Sequence, residues 1–506
     1  VTPARGVIVT GASGFVGRHL LAALAGEYRI FGIARRSQQR SGAPEHPNIS
    51  WFQADIGDRQ QLEPVFAQIE ALGGAESVIH LAAHYDFTGD EDPEYWRTNV
   101  AGLRHVLDLS AEIGVRRFVF SSSVAACELP PRGTALTEQS PPDGHHIYAR
   151  TKRAGEEMLR EYAPRMHPVI VRFAALFSDW CEYPPLFMFL HTWLGTTWNR
   201  RVLGGRGESA IPYLHVNDIV VFLTRVLVRF DQLAPCEVLV ASPDRAVSHN
   251  ELFEAATLAY GGARQRPVHM PRPLCRPGII VRDLAGRLMG ERPFERAWMA
   301  DYIDTVMAID ASQTRRRLDW APRPRLEMLR RLPFLIENLK ADPTEWNLRN
   351  RAAMKEVTIP INLRVHWLLE RHQEEIIREF TRLLTGTGKA RFARYQLLTE
   401  DEHEWNHRLV LRHLFNAVRT KDRGIFMAYC RDLAAQRLEQ GYRANELCGA
   451  LEGLNLVCWR VLRRDPESKG MRQAIHDYVT STLRSGCDQA QDVYELAEMT
   501  GGPPQA

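Results

Sequence analysis

The chain has 506 residues, 45% hydrophobic and 25% charged, with 64 basic against 61 acidic side chains and a net charge of +3. These ordinary globular values exclude a disordered, collagen-like or wholly coiled-coil chain, and so small a net charge gives no global field to draw the protein onto nucleic acid or a membrane. At roughly 150 residues per domain the length allows about three folding units. In chain order, residues 6–10 (GVIVT) predict a strand and 19–25 part of the helix after it. Residues 29–34 (RIFGIA) predict a second strand, 77–82 (SVIHLA) a third, 98–113 a helix, and 117–121 (RFVFS) a fourth strand. Later strands fall at 169–173 and 238–240. Such alternation predicts a doubly wound parallel sheet with helices on both faces. Beyond Asp342-Pro343 the pattern turns helical, over 363–384, 400–420, 425–440, 445–463 and 471–496, with Val365, Leu368, Leu369, Ile376 and Phe380 near one face. The predicted organisation is an α/β domain over 1–342, a linker over 343–360 and an all-α domain over 361–500, with the tail 501–506 expected to fray.

The eight cysteines are scattered with no CxxC pair, so neither a zinc nor a thioredoxin spacing is present, and they suit a reducing compartment. The first residues run into a strand pattern without a basic-apolar-small leader. The most apolar long stretch, 176–198, carries Asp179, Glu182, two prolines and His191, which no membrane-spanning helix would tolerate. A cytoplasmic protein with no nucleic-acid partner and no stable membrane insertion is expected.

Residues 10–17 read TGASGFVG, with Gly11, Gly14 and Gly17 between a strand and a helix. That context lets backbone N–H groups approach a pyrophosphate at a helix N-terminus. The end of the second strand normally reads the adenosine ribose, and a carboxylate there favours NAD. Here it is Ala34-Arg35-Arg36-Ser37, and arginine can pair with a 2′-phosphate, so NADP(H) is favoured over NAD(H). Tyr148 and Lys152 stand at i and i+4 on a helix, hence on one face. A cation beside a phenol lowers its pKa and makes it a proton donor or acceptor for a carbonyl/alcohol pair. Ser121, Ser122 and Ser123 end a strand at the sheet edge where ligands of open α/β sheets sit.

In order along the chain, TGASGFVG, Asp55-Ile56, VIHLAA at 78–83, Asn99 in TNVAG, FVFSSSVAA at 118–126, YARTK at 148–152, VRFAALFS at 171–178 and YLHVNDIV at 213–220 make the chain resemble the extended short-chain dehydrogenase/reductase family. That group includes nucleotide-sugar epimerases and dehydratases, dihydroflavonol-type reductases and 3β-hydroxysteroid dehydrogenases. The resemblance covers about residues 1–340 and implies a Rossmann-type sheet with a small substrate subdomain from 176–212 and 260–320. It implies Tyr148 as acid/base, Lys152 as its partner and Ser123 as the carbonyl-orienting hydroxyl, with Ser122 as the fallback. Gly11, Ser13, Gly14, Phe15, Val16 and Gly17 would cradle the pyrophosphate, with Arg35 and Arg36 at the ribose. Asp55 and Ile56 would flank adenine, Leu81, Ala82 and Ala83 would line the cleft, and Asn99 would support the site. Two departures touch the substrate side: Arg172 is followed by Phe173 where the family has proline, and Ile147 precedes the tyrosine.

The aromatic stretch 180–193 suggests a bulky apolar substrate. His84, Tyr85, Asp86 and Phe87 would line the entrance, with Trp180, Tyr183 and Arg206 as further substrate candidates; arginines near 200–206 keep nucleotide sugars in play. A dehydratase would need an extra carboxylate, for which Asp179 and Glu182 are candidates. The helical half, through WLLERHQEEIIREF and LEGLNLVCWRVLRR, resembles the globin-like N-terminal sensor domains of bacterial stress-response regulators of the RsbT co-antagonist type (RsbR-type), which implies a regulatory or protein-docking role. His403 and His407 share a helix face, but no HExxH surrounds them, so no metal is expected. The leading reading is an NADP(H)-dependent oxidoreductase on an apolar small molecule, a homodimer by resemblance. The alternatives are a nucleotide-sugar epimerase or dehydratase holding NAD tightly and an NADP(H)-sensing regulator.

Overall fold

The computed structural model describes residues 5–86, 89–131, 133–289, 295–353, 361–386, 390–465, 468 and 470–499; Phe87 and the tail 501–506 lie outside them. The chain divides into two compact units, Val1–Val357 and Thr358–Ala506.

In the first unit seven strands form one parallel sheet: β1 (Gly6–Thr10), β2 (Arg29–Ala34), β3 (Ile49–Gln53), β4 (Ser77–His80), β5 (Arg117–Ser123), β6 (His167–Phe173) and β7 (Glu237–Ala241). Their order is β7-β6-β5-β4-β1-β2-β3. The apolar runs are continuous because both faces are buried. Val7, Val9, Ile30, Ile79, Val119 and Val171 pack into one core, while Ile8, Phe31, Ile33, Val78, Phe118 and Ile170 pack into the other. The chain winds from β1 to β3 in one direction and from β4 to β7 in the other. The reversal leaves a crevice at the carboxyl ends of β1 and β4, the usual ligand position in such sheets. Edge strand β3 has no counterpart among the strands predicted from sequence, because four of its five residues are only half-buried and give no clear apolar run.

A further apolar cluster gathers Leu186, Phe187, Leu190 and Trp193 with Leu252, Phe253, Leu332 and Trp346. Much of the aromatic stretch expected to face a substrate is therefore core, and Trp198 is fully turned to solvent. The stretch expected as a linker from 343 to 360 begins with a helix, Pro343–Ala353, whose Trp346 and Asn350 are buried in the first unit. Asn350 Oδ1 accepts from Glu182 N at 2.8 Å, which ties this helix down.

The second unit is helical, with its main helices at Ile361–Arg371, Gln373–Thr385, Glu400–Thr420, Gly424–Glu439, Ala444–Leu462 and Ser481–Met499. The single helix predicted over 363–384 is two helices. The break falls at His372, whose Nε2 lies 2.9 Å from Asp465 Oδ2. A shared core of Leu368, Ile376, Leu411, Leu414, Leu454 and Val457 holds the unit together. Among the described residues no helix is long and apolar enough to cross a membrane.

Candidate active site

The glycine loop joins β1 to α1 (Phe15–Leu24). Gly11 has φ +70°, and a Cβ there would meet Ala82 N at 2.7 Å, so only glycine lets the loop lie against the end of β4. A Cβ on Gly17 would strike the carbonyls of Gly11 and Ala12, which fixes the close approach of helix to loop. Gly14 caps α1 with no side-chain hydrogen bond, and the first turn holds no acidic residue. Its N–H groups are thus suited to an anion, and the cradle fits a dinucleotide pyrophosphate. Phe15 rests edge-on against His19, while Val16 and Leu81 pack half-buried against the core beneath.

The two arginines after β2 have different surroundings. Arg36 Nη2 donates to Ser13 O at 2.6 Å and Nε approaches Ser13 Oγ at 3.4 Å, which places the guanidinium on the loop. Burial and the neighbouring cations Arg18 and Arg35 lower its pKa, a setting that calls for an anion. Arg35 points away, 3.7 Å from Glu94. Asp55 accepts from Gly57 N at 2.9 Å and from Arg97 Nη2 at 2.8 Å. Ile56 is buried against Gly102, so its side chain serves the core rather than an open adenine face.

Tyr148 and Lys152 lie on α2 (Ile147–Tyr162), and Ser123 ends β5. Strand alternation decides between the serines. Ser122 turns into the core, where its Oγ donates to Glu156 Oε1 at 2.6 Å, while Ser121 donates to His80 O at 2.7 Å. Ser123 is hydrogen-bonded to the Tyr148 phenol and accepts from Ala125 N at 3.1 Å. The expected lowering of the tyrosine pKa by Lys152 is overturned. Burial pushes the phenol above its ordinary value, against a smaller lowering by Ser123. Lys152 Nζ donates to Ser121 O at 2.6 Å and stands 5.5 Å from the phenol ring centroid. Desolvation lowers its own pKa to about 8.

Asn99 sits in a π-helical turn, Arg97–Ala101. Its Oδ1 accepts from His84 N at 2.6 Å, and its Nδ2 donates to His84 O and to Thr151 Oγ1. It therefore clamps the segment that follows Ala82 and Ala83 to the Tyr148 helix. Tyr95, which drew no attention in the sequence, closes the same clamp: its hydroxyl donates to Asp86 O and accepts from Asp86 N, both at 2.9 Å.

Of the substrate candidates, Tyr85 lies tilted against Tyr148 with centroids 4.2 Å apart, and Tyr183 is near enough to both phenols to raise their neighbourhood's cost of negative charge. His84 Nε2 lies 3.4 Å from Asp92 Oδ2 beside them. Trp180 and Arg206 have other partners. Arg349 covers the Trp180 ring at 4.7 Å, and Arg206 is held in a surface turn by Asp304 and Glu208. Both candidate dehydratase acids are occupied: Asp179 accepts from Arg331 Nε at 2.8 Å, and Glu182 accepts from Arg18 Nη2 at 2.7 Å.

Sequence reading passed over two buried groups, Glu156 and His80, and the half-buried Arg18. Glu156 lies one turn past Lys152, a spacing that would have found it; it takes a two-pronged bond from Arg172, at 2.9 and 2.7 Å. Arg18 bridges α1 to Glu182. His80 shares a 3.0 Å hydrogen bond with Thr10 Oγ1, and burial, with Lys152 nearby, lowers its pKa to about 3. An unfolded chain would bind that proton near its ordinary 6.5. Stability contributed by neutral His80 is therefore lost as pH falls from about 6.5 to about 3, on the order of 4 kcal/mol at the bottom. Urea midpoints at neutral and acid pH, for the parent and His80→Asn, measure this; equal pH dependence in the two would refute it.

Loop, arginines, phenol and lysine at one sheet edge define a nicotinamide-dependent oxidoreductase of Rossmann type. Residues 7–241, the sheet-bearing part of the first unit, match the model of the NAD dependent epimerase/dehydratase family. Over 291 residues the chain is 28% identical to an Escherichia coli O157:H7 enzyme, N-acetyl-alpha-D-glucosaminyl-diphospho-ditrans,octacis-undecaprenol 4-epimerase, covering 56% of this chain and 81% of that protein. It is 32% identical over 139 residues to a putative dihydroflavonol 4-reductase of Synechocystis, covering 26% of this chain and only 37% of that one. Among solved structures, dTDP-glucose 4,6-dehydratase of Bacillus anthracis in complex with NAD shares the fold, with a TM-score of 0.52 at 18% identity over 68% of this chain and all of that one.

Proposed function

We propose that the first unit is an NADP(H)-dependent oxidoreductase interconverting a carbonyl and an alcohol on a bulky apolar small molecule. The observation that carries this reading is Arg36, set on the glycine loop through Ser13 and backed by Arg18, where a 2′-phosphate would find a bidentate cation. The substrate class rests on Tyr85 and Tyr183 around Tyr148, and on Asp179 and Glu182 both being held by arginines. The bound nicotinamide would supply or accept hydride. Tyr148 would donate the proton to the carbonyl oxygen, Ser123 would hold that oxygen beside the phenol, and Lys152 would supply the positive charge that the developing oxyanion and the ribose hydroxyls need. The likeness to a 4-epimerase over most of that enzyme's length supports a second reading, in which the same residues return the hydride to one substrate and NAD is retained.

Mass spectrometry of nucleotide released on denaturation, followed by titration with NADPH and NADH, separates the two. An exchangeable site preferring NADPH is the expected result; stoichiometric, tightly held NAD would sink the reductase reading. Arg36→Ala should weaken NADPH by ~10-fold or more, as expected for loss of a charge-assisted contact of about 1.5–3 kcal/mol, and leave NADH unchanged. Equal losses for both nucleotides would remove the arginine from the ribose site. The resemblance of the helical unit supports a regulatory or docking role for it; the resemblance of the first unit to the dehydrogenase/reductase family supports a homodimer, and the scattered cysteines a cytoplasmic setting.

A further inference from the structure

We propose that the helical unit binds a short-chain aliphatic monocarboxylate in an internal cavity, with the Arg437 guanidinium taking the carboxylate. The cavity measures about 40 Å³ and is not fully enclosed. By volume that accommodates a few atoms the size of water, so the ligand is small. Its walls are mostly aliphatic, including Leu384, Val410, Leu451 and Leu454, and its polar lining includes Arg437 and His407.

Arg437 lies on the helix Gly424–Glu439 and is 7% exposed, yet among the described residues it has no ion pair. Its Nη1 donates to Gln440 Oε1 at 2.8 Å and its guanidinium lies over the rings of Tyr442 and Tyr395, but its buried Nε has no acceptor. A buried guanidinium without a counter-ion is costly, and such groups are ordinarily paired. Two carboxylates stand within range of its charge without pairing with it: Glu402, held below its ordinary value by its Thr399 hydrogen bonds and more weakly by Arg437, and Glu446 beside Tyr442, and both are committed elsewhere. Glu402 caps its own helix through Thr399, and Glu446 accepts from the backbone N–H groups of Arg394 and Arg443. The missing acceptor is thus an anion from outside the chain.

The rest of the lining narrows its chemistry. His407 shares a 3.0 Å hydrogen bond with Thr381 Oγ1, and burial with His403 nearby lowers its pKa to about 3, so it stays neutral at physiological pH. One fixed positive charge calls for one negative charge, and aliphatic walls reject the hydration shell of a phosphate. A monocarboxylate with a short alkyl chain meets both demands.

The test is equilibrium dialysis of labelled acetate and propanoate against the full chain, with Arg437→Met and Ala450→Leu beside the parent. Ala450 lines the cavity and is buried, so leucine fills the space while leaving the guanidinium in place. One saturable site per chain is expected, weakened at least tenfold in both variants, while NADPH binding stays as in the parent. Arg437→Met should fold, because it removes a charge that has no partner; if it does not, Ala450→Leu decides. No saturable binding of either acid, binding that survives in Ala450→Leu, or displacement by equimolar chloride would each overturn the proposal.

Discussion

Tyr148→Phe will lower carbonyl reduction by ~10²–10⁴-fold, the usual worth of a positioned general acid, and will leave NADPH affinity unchanged. The hydroxyl is the one atom removed, and it is the atom that Ser123 holds. Because burial raises the phenol above its ordinary value, it is protonated throughout the neutral range and ready to donate. The pH limb belongs to Lys152 instead. Desolvation lowers its pKa to about 8, so the ammonium is present below that pH and lost above it, and kcat/KM for reduction should be flat below about 8 and fall beyond. Full activity in Tyr148→Phe would place the acid elsewhere, and a profile that rises through pH 8 would contradict the role given to Lys152.

Glu156→Ala will destabilise the first unit by ~3–5 kcal/mol, since it strands a guanidinium in the core. Arg172 and Glu156 are both nearly inaccessible, and their two-pronged bond joins β6 to the helix that carries Tyr148 and Lys152. Arg172 Nη1 also donates to Ser140 O at 2.6 Å, and Ser122 donates to the same carboxylate, so one deletion breaks a four-residue network. Replacing both ions, as Glu156→Leu with Arg172→Met, should recover much of the loss, because the desolvation cost goes with them. Urea unfolding of the three proteins measures this. A loss below ~1 kcal/mol in Glu156→Ala, the size of an exposed pair, would mean that water reaches Arg172.

The parallel sheet was legible because its strands are apolar on both faces and punctuated by glycine, and the edge strand Ile49–Gln53 escaped because half-burial dilutes that signal. The glycine loop, Ser123, Tyr148 and Lys152 were legible as motifs, since each needs a particular residue at a particular spacing. The direction of the Tyr148 pKa was not. Sequence spacing puts Lys152 on the same helix face, but it cannot say that the ammonium turns to Ser121 O or how dry the phenol is. Nor could it show that Trp193 and Phe187 complete a core, or that Asp179 and Glu182 are held by Arg331 and Arg18, because those partners come from distant segments.

The sheet order has a consequence for how the molecule comes into being. Val7 pairs with Ser77, Ser77 with Arg117, Arg117 with His167 and Val169 with Glu237, so four of the six ladders join stretches of chain made well apart in time. Long loops must close before such pairings repay their entropy, which makes parallel sheets slow to form. β1 emerges from the ribosome before β4 and must wait for it before the crevice exists at all. A nucleotide that binds only the finished crevice then pulls the folding equilibrium toward it by mass action. Nucleotide supply would set how much of the chain reaches its native state, as well as how fast that state turns over.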